Sequence, residues 1–199
     1  YENANKTAAN AAFLYFLSYV VFLILGFTIV KPFYSSQIGS ADTEIMEMGI
    51  DYLSTVMIFS FGLFTQIFFE RVLTSTGRTI YSMTSQLCGA LTNIVLDPIM
   101  IFGLLGCPKM GVTGAAAATV IGQCVAAVVA FTCNHKFNHE IRVSLKGFRP
   151  NIKIIGTIYA IGIPSIIMQS IGSVMTYSMN RILITFSSTA TAVFGVYFK

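Results

Sequence analysis

The chain has 199 residues, of which 55% are hydrophobic and 10% charged, with 12 Lys and Arg against 8 Asp and Glu. A soluble domain carries about 25% charged residues, and the low charge here excludes that class. Together with a mean hydropathy of +0.75, it defines an all-α integral membrane protein, a polytopic helix bundle. The net charge of +4 would suit an anionic partner such as nucleic acid only if it were spread over a soluble surface.

The charges are instead clumped and leave uncharged runs at 7–30, 52–69, 79–96, 110–135 and 154–180. A span needs about 20 residues, so the pattern predicts five complete helices and part of a sixth. Residues 1–7 form a polar lead-in, in which Asn5-Lys6-Thr7 fits a glycosylation sequon. The first helix covers 8–30 and closes at Lys31-Pro32. The loop 33–51 carries Asp42, Glu44, Glu47 and Asp51, with Ser40 and Asp42 as helix-start signals. A second helix over 52–69 ends at Glu70-Arg71, and a connection through Gly77-Arg78 leads to the third.

The third helix, 78–102, contains Thr92-Asn93-Ile94-Val95-Leu96-Asp97-Pro98. Asn93 and Asp97 are four residues apart, so amide and carboxylate share one face and can hold a cation or a proton. Pro98 removes a backbone donor and crowds the Ile94 carbonyl, so a kink is expected beside the acid. An acid at membrane depth costs about 2.5–3.5 kcal/mol on insertion scales, which marks Asp97 as a site candidate. It reads as the one acid deep in a membrane segment; the structural alternative is a cap on the kinked helix, or a pair with Arg181 or Lys199.

The tight loop 103–111 contains Pro108 and Lys109, and the fourth helix, 112–133, opens with Gly111, Gly114 and the alanines 115–118, where a neighbouring helix can approach closely. The loop 135–153 then holds Lys136, Arg142, Lys146, Arg149 and Lys153. By the positive-inside rule it is cytoplasmic, residues 33–51 are extracytoplasmic, and no nucleic acid is needed to explain the basic excess. The sequon is then cytoplasmic and unmodified. The fifth helix, 154–184, has Gly162-Ile163-Pro164 and a polar second half with Gln169, Ser170, Ser173, Thr176, Tyr177, Ser178 and Asn180, a stripe that suits a cavity or a polar helix interface. The chain begins at Tyr1 and stops inside the apolar segment 191–198, so it is expected to be a piece of a longer protein.

Cys88, Cys107, Cys124 and Cys133 show no CxxC spacing and read as packing residues. His135 and His139 are four apart beside Glu140, but no third ligand is near, so no metal is expected. The 17 Phe and 9 Met suit an adaptable cavity as well as lipid-facing or packed surfaces. HExxH, GxSxG and paired aspartates do not occur, which argues against an enzyme.

Several stretches in order carry a resemblance: 73–79 (LTSTGRT), 93–103 (NIVLDPIMIFG), 111–123 (GVTGAAAATVIGQ) and 162–164 (GIP). Together they resemble the multidrug and toxic compound extrusion (MATE) transporters. The resemblance implies a twelve-helix, two-lobe protein, of which these helices are similar to transmembrane helices 3 to 7 and the start of 8. Residues 1–134 would belong to the N-lobe, 135–153 to the cytoplasmic linker, and 154–199 to the start of the C-lobe. It implies a cation or proton site at Asn93, Asp97 and Thr119, completed by an acid on helix 1. Family members that place a coupling Glu on helix 7 are not matched, because the stretch offers Gln169. Gln123, Gln169, Tyr177, Asn180 and Lys199 are the substrate-cavity candidates. The implied function is secondary antiport, exporting organic cations or drugs in exchange for H+ or Na+ by alternating access. A lipid-linked oligosaccharide flippase on a related fold is the alternative, although few charged residues lie inside the helices to hold a pyrophosphate. The expected partners are the lipid bilayer and small, cationic organic substrates; the expected form is a monomer in the plasma membrane, with no cofactor beyond the coupling ion.

Overall fold

A computed structural model describes residues 2–37, 43–106, 108–138, 140–141 and 150–197. Ser40, Asp42, Cys107, His139, Lys199 and the linker residues Arg142, Lys146 and Arg149 lie outside the described residues. Among those described, all regular structure is helical: α1 (Glu2–Thr28), α2 (Val30–Gln37), α3 (Thr43–Ile58), α4 (Phe61–Ser75), α5 (Thr79–Phe102), a 3-10 turn (Leu104–Gly106), α6 (Gly111–Phe137), α7 (Ile152–Ile184) and α8 (Ser188–Tyr197). Four helices are long and apolar enough to cross a membrane, and α3 with α4, bent by 50° at their junction, supply a fifth span if the pair crosses as one. The protein is a polytopic helical membrane protein.

Three expectations are corrected. Residues 2–7, expected as a polar lead-in, form the start of α1. The segment 33–51 is largely helical, because α2 reaches Gln37 and α3 starts at Thr43. Its acids do not oppose this, since Glu47 and Asp51 sit one turn apart and both are exposed. The second helix does not end at Glu70-Arg71 either: α4 continues to Ser75, with Glu70 buried and only 8% exposed. Its carboxylate is satisfied inside the bundle, so the charge does not mark a membrane boundary.

The chain divides into two compact units, Tyr1–Pro150 and Asn151–Lys199. In the first, α6 packs against α3, α4 and α5, while α1 lies on α3 and α4. The core of α6 is made of alanines: Ala116, Ala118, Ala126 and Ala130 are 0% exposed. Small side chains suit a bundle in lipid, where close backbone packing holds helices together in place of the hydrophobic effect. Large apolar side chains face outward instead, among them Ile80, Leu87, Ile94 and Val128, as a hydrocarbon surround permits. An edge-to-face aromatic seam ties α1 to α4, with Tyr15 against Phe68 at 5.5 Å and Phe22 against Phe64 at 5.3 Å. Tyr81 stacks on Phe137 at 4.2 Å, pinning the start of α5 to the end of α6.

α5 keeps its helical course through Pro98 and stops at Gly103, whose φ of 73° is a left-handed cap. Pro98 still leaves the Ile94 carbonyl without its helical donor. The Met110 N–H then donates to the Met100 carbonyl at 3.2 Å and turns the chain into α6. In the second unit, Asn151 caps α7 by accepting from the Lys153 N–H at 3.0 Å. α7 runs 33 residues through Pro164, and none of its residues is buried within the unit.

Candidate functional site

The site grows from the contact between α5 and α6. A Cβ on Gly89 would lie 2.8 Å from Ala126 Cβ and 3.1 Å from the Gly122 carbonyl oxygen, and one on Gly122 would lie 3.0 Å from the Gly89 carbonyl oxygen. Only glycine allows this approach. It brings Asn93, one turn along α5, against α6, with its Cβ 3.5 Å from where a side chain at Gly122 would begin.

Around this contact lies a cavity of about 250 Å3. α5 contributes Gln86 and Asn93, α6 Thr119 and Gln123, and α4 Leu63 and Gln66. The α5 positions 86, 89, 90 and 93 and the α6 positions 119, 122 and 123 each follow helical spacing, so one face of each helix lines the space. Its polar groups are carboxamides and a hydroxyl. The Thr119 hydroxyl donates to the Ala115 carbonyl at 2.9 Å, leaving its lone pairs available. Asn93 Oδ1 and Gln123 Oε1 are buried without a hydrogen-bond partner. Two buried acceptors without donors are costly unless a ligand supplies positive charge or N–H and O–H groups.

Asp97 lies one turn beyond Asn93 on α5 and is partly buried, its Oδ1 also buried without a partner. It is not among the residues lining the cavity. The structure therefore brings Asn93, Thr119 and Gln123 together and sets Asp97 beside them along the helix. Gln169 and Tyr177 are exposed within their own unit, while Asn180 is partly buried with an unpartnered Oδ1.

The sequence reading missed Glu70. Gln66 Nε2 donates to its Oε1 at 2.9 Å, the Ser85 hydroxyl lies 2.8 Å from the same oxygen, and Gln86 Nε2 donates to Oε2 at 3.1 Å. Asp97 is thus not the one deep acid. Two signals in the sequence point to this: Gln66 and Glu70 are four apart, and no helix breaker stands between Glu70 and Gly77.

The bundle, its outward-facing apolar surface and a small polar cavity between glycine-packed helices define the class, a polytopic helical membrane protein. The MatE family model matches residues 1–99. The multidrug export protein MepA of Staphylococcus haemolyticus is 29% identical over 197 residues, 98% of this chain and 42% of that protein. MepA of Staphylococcus aureus strain NCTC 8325 is 30% identical over 176 residues, 86% of this chain and 38% of that protein. Among solved structures, the outward-facing conformation of a multidrug resistance MATE family transporter of the MOP superfamily superposes with a TM-score of 0.82 at 26% identity, over 98% of this chain and 42% of that one. The inward-facing conformation of such a transporter gives a TM-score of 0.72 at 25% identity, over 96% of this chain and 48% of that one. The chain belongs to the MATE transporter family and spans less than half the length of the relatives it matches.

Proposed function

We propose that the transporter containing this chain exports small organic cations in exchange for H+ or Na+, with Asp97, Asn93 and Thr119 forming the coupling site. The observation that carries this is the set of buried, unpartnered acceptors along one stretch of α5 and α6, Asn93 Oδ1, Asp97 Oδ1 and Gln123 Oε1, beside the Thr119 hydroxyl. A cation held between Asn93 and Asp97, one turn apart on α5, would satisfy acceptors that no protein donor reaches, and a proton on Asp97 removes its charge. The Ile94 carbonyl, deprived of its donor by Pro98, is a further oxygen on the same helix.

The energetics suffice. One charge moving down 100 mV releases about 2.3 kcal/mol, which supports a substrate gradient of roughly 50-fold. The coupling ion must bind the outward- and inward-open states unequally, and occupancy at Asp97 beside Pro98 gives it a place to do so. Gln169, Tyr177 and Asn180, on the polar side of α7, would supply substrate contacts in the assembled transporter. The basic linker faces the cytoplasm of a plasma-membrane protein, and the 33–51 segment faces out.

The test is ethidium efflux from vesicles containing the intact transporter, wild type against Asp97→Asn, under separate H+ and Na+ gradients. Loss of coupled efflux with normal folding is expected, and the gradient that drives wild type names the ion. Unchanged coupled efflux in Asp97→Asn would sink the assignment.

A further inference from the structure

The cavity of α4, α5 and α6 has a charged group behind its wall. Glu70 is 8% exposed, its hydrogen-bond partners are three uncharged side chains, and two of these, Gln66 and Gln86, line the cavity. A carboxylate only accepts, so a carboxamide that reaches it must do so through its NH2 group. The orientation of both glutamines is therefore dictated by chemistry: each spends its donor end on Glu70 and keeps its amide oxygen for something else. Around the same cavity, Asn93 Oδ1 and Gln123 Oε1 are buried acceptors without partners.

We propose that Glu70 is a specificity-determining residue that fixes the polarity of this cavity, making it a site for organic cations that carry N–H donors. It acts in two ways. The carboxylate holds Gln66 and Gln86 with their amide oxygens free, so that the glutamine walls accept and do not donate. It also places a negative charge one side chain away from the cavity, in surroundings where charge is poorly screened. An anion or an acceptor-rich neutral molecule meets unpaired oxygens on several sides, which discriminates more strongly than a gain of contacts does. Gln alone at position 70 would lose this control: a neutral carboxamide offers both donor and acceptor, and one of the two wall glutamines could turn its NH2 into the cavity.

This proposal rests on reading the cavity as part of the transport path, and the experiment separates the two. Ethidium, a cation with two aromatic amino groups, and hydroethidine, its uncharged reduced form of nearly the same shape, are titrated by fluorescence into the purified intact transporter in nanodiscs. Wild type is expected to prefer ethidium. Glu70→Gln is expected to weaken ethidium binding about tenfold, the scale of a lost interaction with a charged group, and to weaken hydroethidine, which keeps the amino groups and lacks the charge, by a clearly smaller factor. Glu70→Asp, which keeps the charge, recovers part of the preference. A structural role alone would shift both ligands by the same factor and would not follow charge. If Glu70→Gln fails to fold, Gln86→Leu carries the test, because it removes one oriented amide and keeps the acid; both ligands present the same amino groups, so both should weaken by roughly threefold while the preference for ethidium is kept. Equal changes for both ligands in Glu70→Gln, or no change in either variant, overturn the proposal. A wild type without preference for ethidium overturns it together with the transport reading of the cavity, whereas loss of coupling in Asp97→Asn with an unaltered preference in Glu70→Gln overturns this proposal alone.

Discussion

Each polar side chain at the centre of this bundle is tied to a specific partner or conspicuously left without one. Ser85 is 0% exposed and its hydroxyl lies 2.8 Å from both Glu70 Oε1 and the Ser82 carbonyl oxygen. Its single proton can serve only one of them at a time. Ser85→Ala is expected to cost about 1–3 kcal/mol, the penalty for an under-satisfied buried carboxylate, read as a lowered thermal unfolding midpoint in detergent. Thr119→Val is nearly isosteric and removes only the hydroxyl that donates to the Ala115 carbonyl. It should leave the unfolding midpoint almost unchanged while raising the ion concentration needed for half-maximal efflux. A variant whose ion dependence matches wild type would remove Thr119 from the coupling site. Asn93 and Asp97 stand out in the sequence as an amide and an acid four apart in apolar surroundings, whereas Thr119 entered only through the resemblance to MATE transporters. Glu70 did not stand out, because its neighbour Arg71 made the pair look like a membrane boundary, and its three donors come from residues 4, 15 and 16 positions away.

At the scale of elements, helices were more readable than their interruptions. The third helix, expected over 78–102, is α5 at Thr79–Phe102, and the fifth, expected over 154–184, is α7 at Ile152–Ile184. Both follow from long apolar runs bounded by charge or glycine. The break between α3 and α4 has no proline to announce it; it falls where Ser60 bonds back to the Met57 carbonyl at 2.7 Å and where Gly62 lies against α6, a Cβ there being 3.1 Å from the Cys124 backbone nitrogen. That is tertiary information, and local pattern does not contain it. The continuity of α5 through Pro98 carries its own prediction. Pro98→Ala restores a donor to the Ile94 carbonyl, so the unfolding midpoint should rise, by up to about 3 kcal/mol in stability. Efflux should fall if that carbonyl helps hold the ion. A stabilised variant with wild-type efflux would show that the carbonyl has no part in coupling.

At the scale of the whole molecule, the charge distribution sets a testable topology. In a background without native cysteines, Glu47→Cys on α3 should react with a membrane-impermeant maleimide added to intact cells, and Glu140→Cys after α6 should react only in inside-out vesicles. The opposite labelling pattern would invert the orientation. The relatives that match this chain extend over more than twice the length it covers, so the α7 stripe around Gln169, Tyr177 and Asn180 acquires its neighbours in the assembled transporter.

In the export role proposed above, the glycine contact between α5 and α6 also constrains how the protein can adapt under drug selection. Gly89 and Gly122 touch through backbone atoms, and any side chain there would push the helices apart by forcing contacts near 3 Å; overpacking of this kind costs about 1–3 kcal/mol. Neither position offers a tolerated route to a new drug profile. Gln66, Gln86 and Gln123 line the same cavity, and a glutamine codon is one nucleotide from glutamate, lysine and leucine codons. Variants selected on a new compound should therefore accumulate at the three glutamines and spare the two glycines, so the inheritable flexibility of the pump lies in its cavity wall while its helix seam stays fixed.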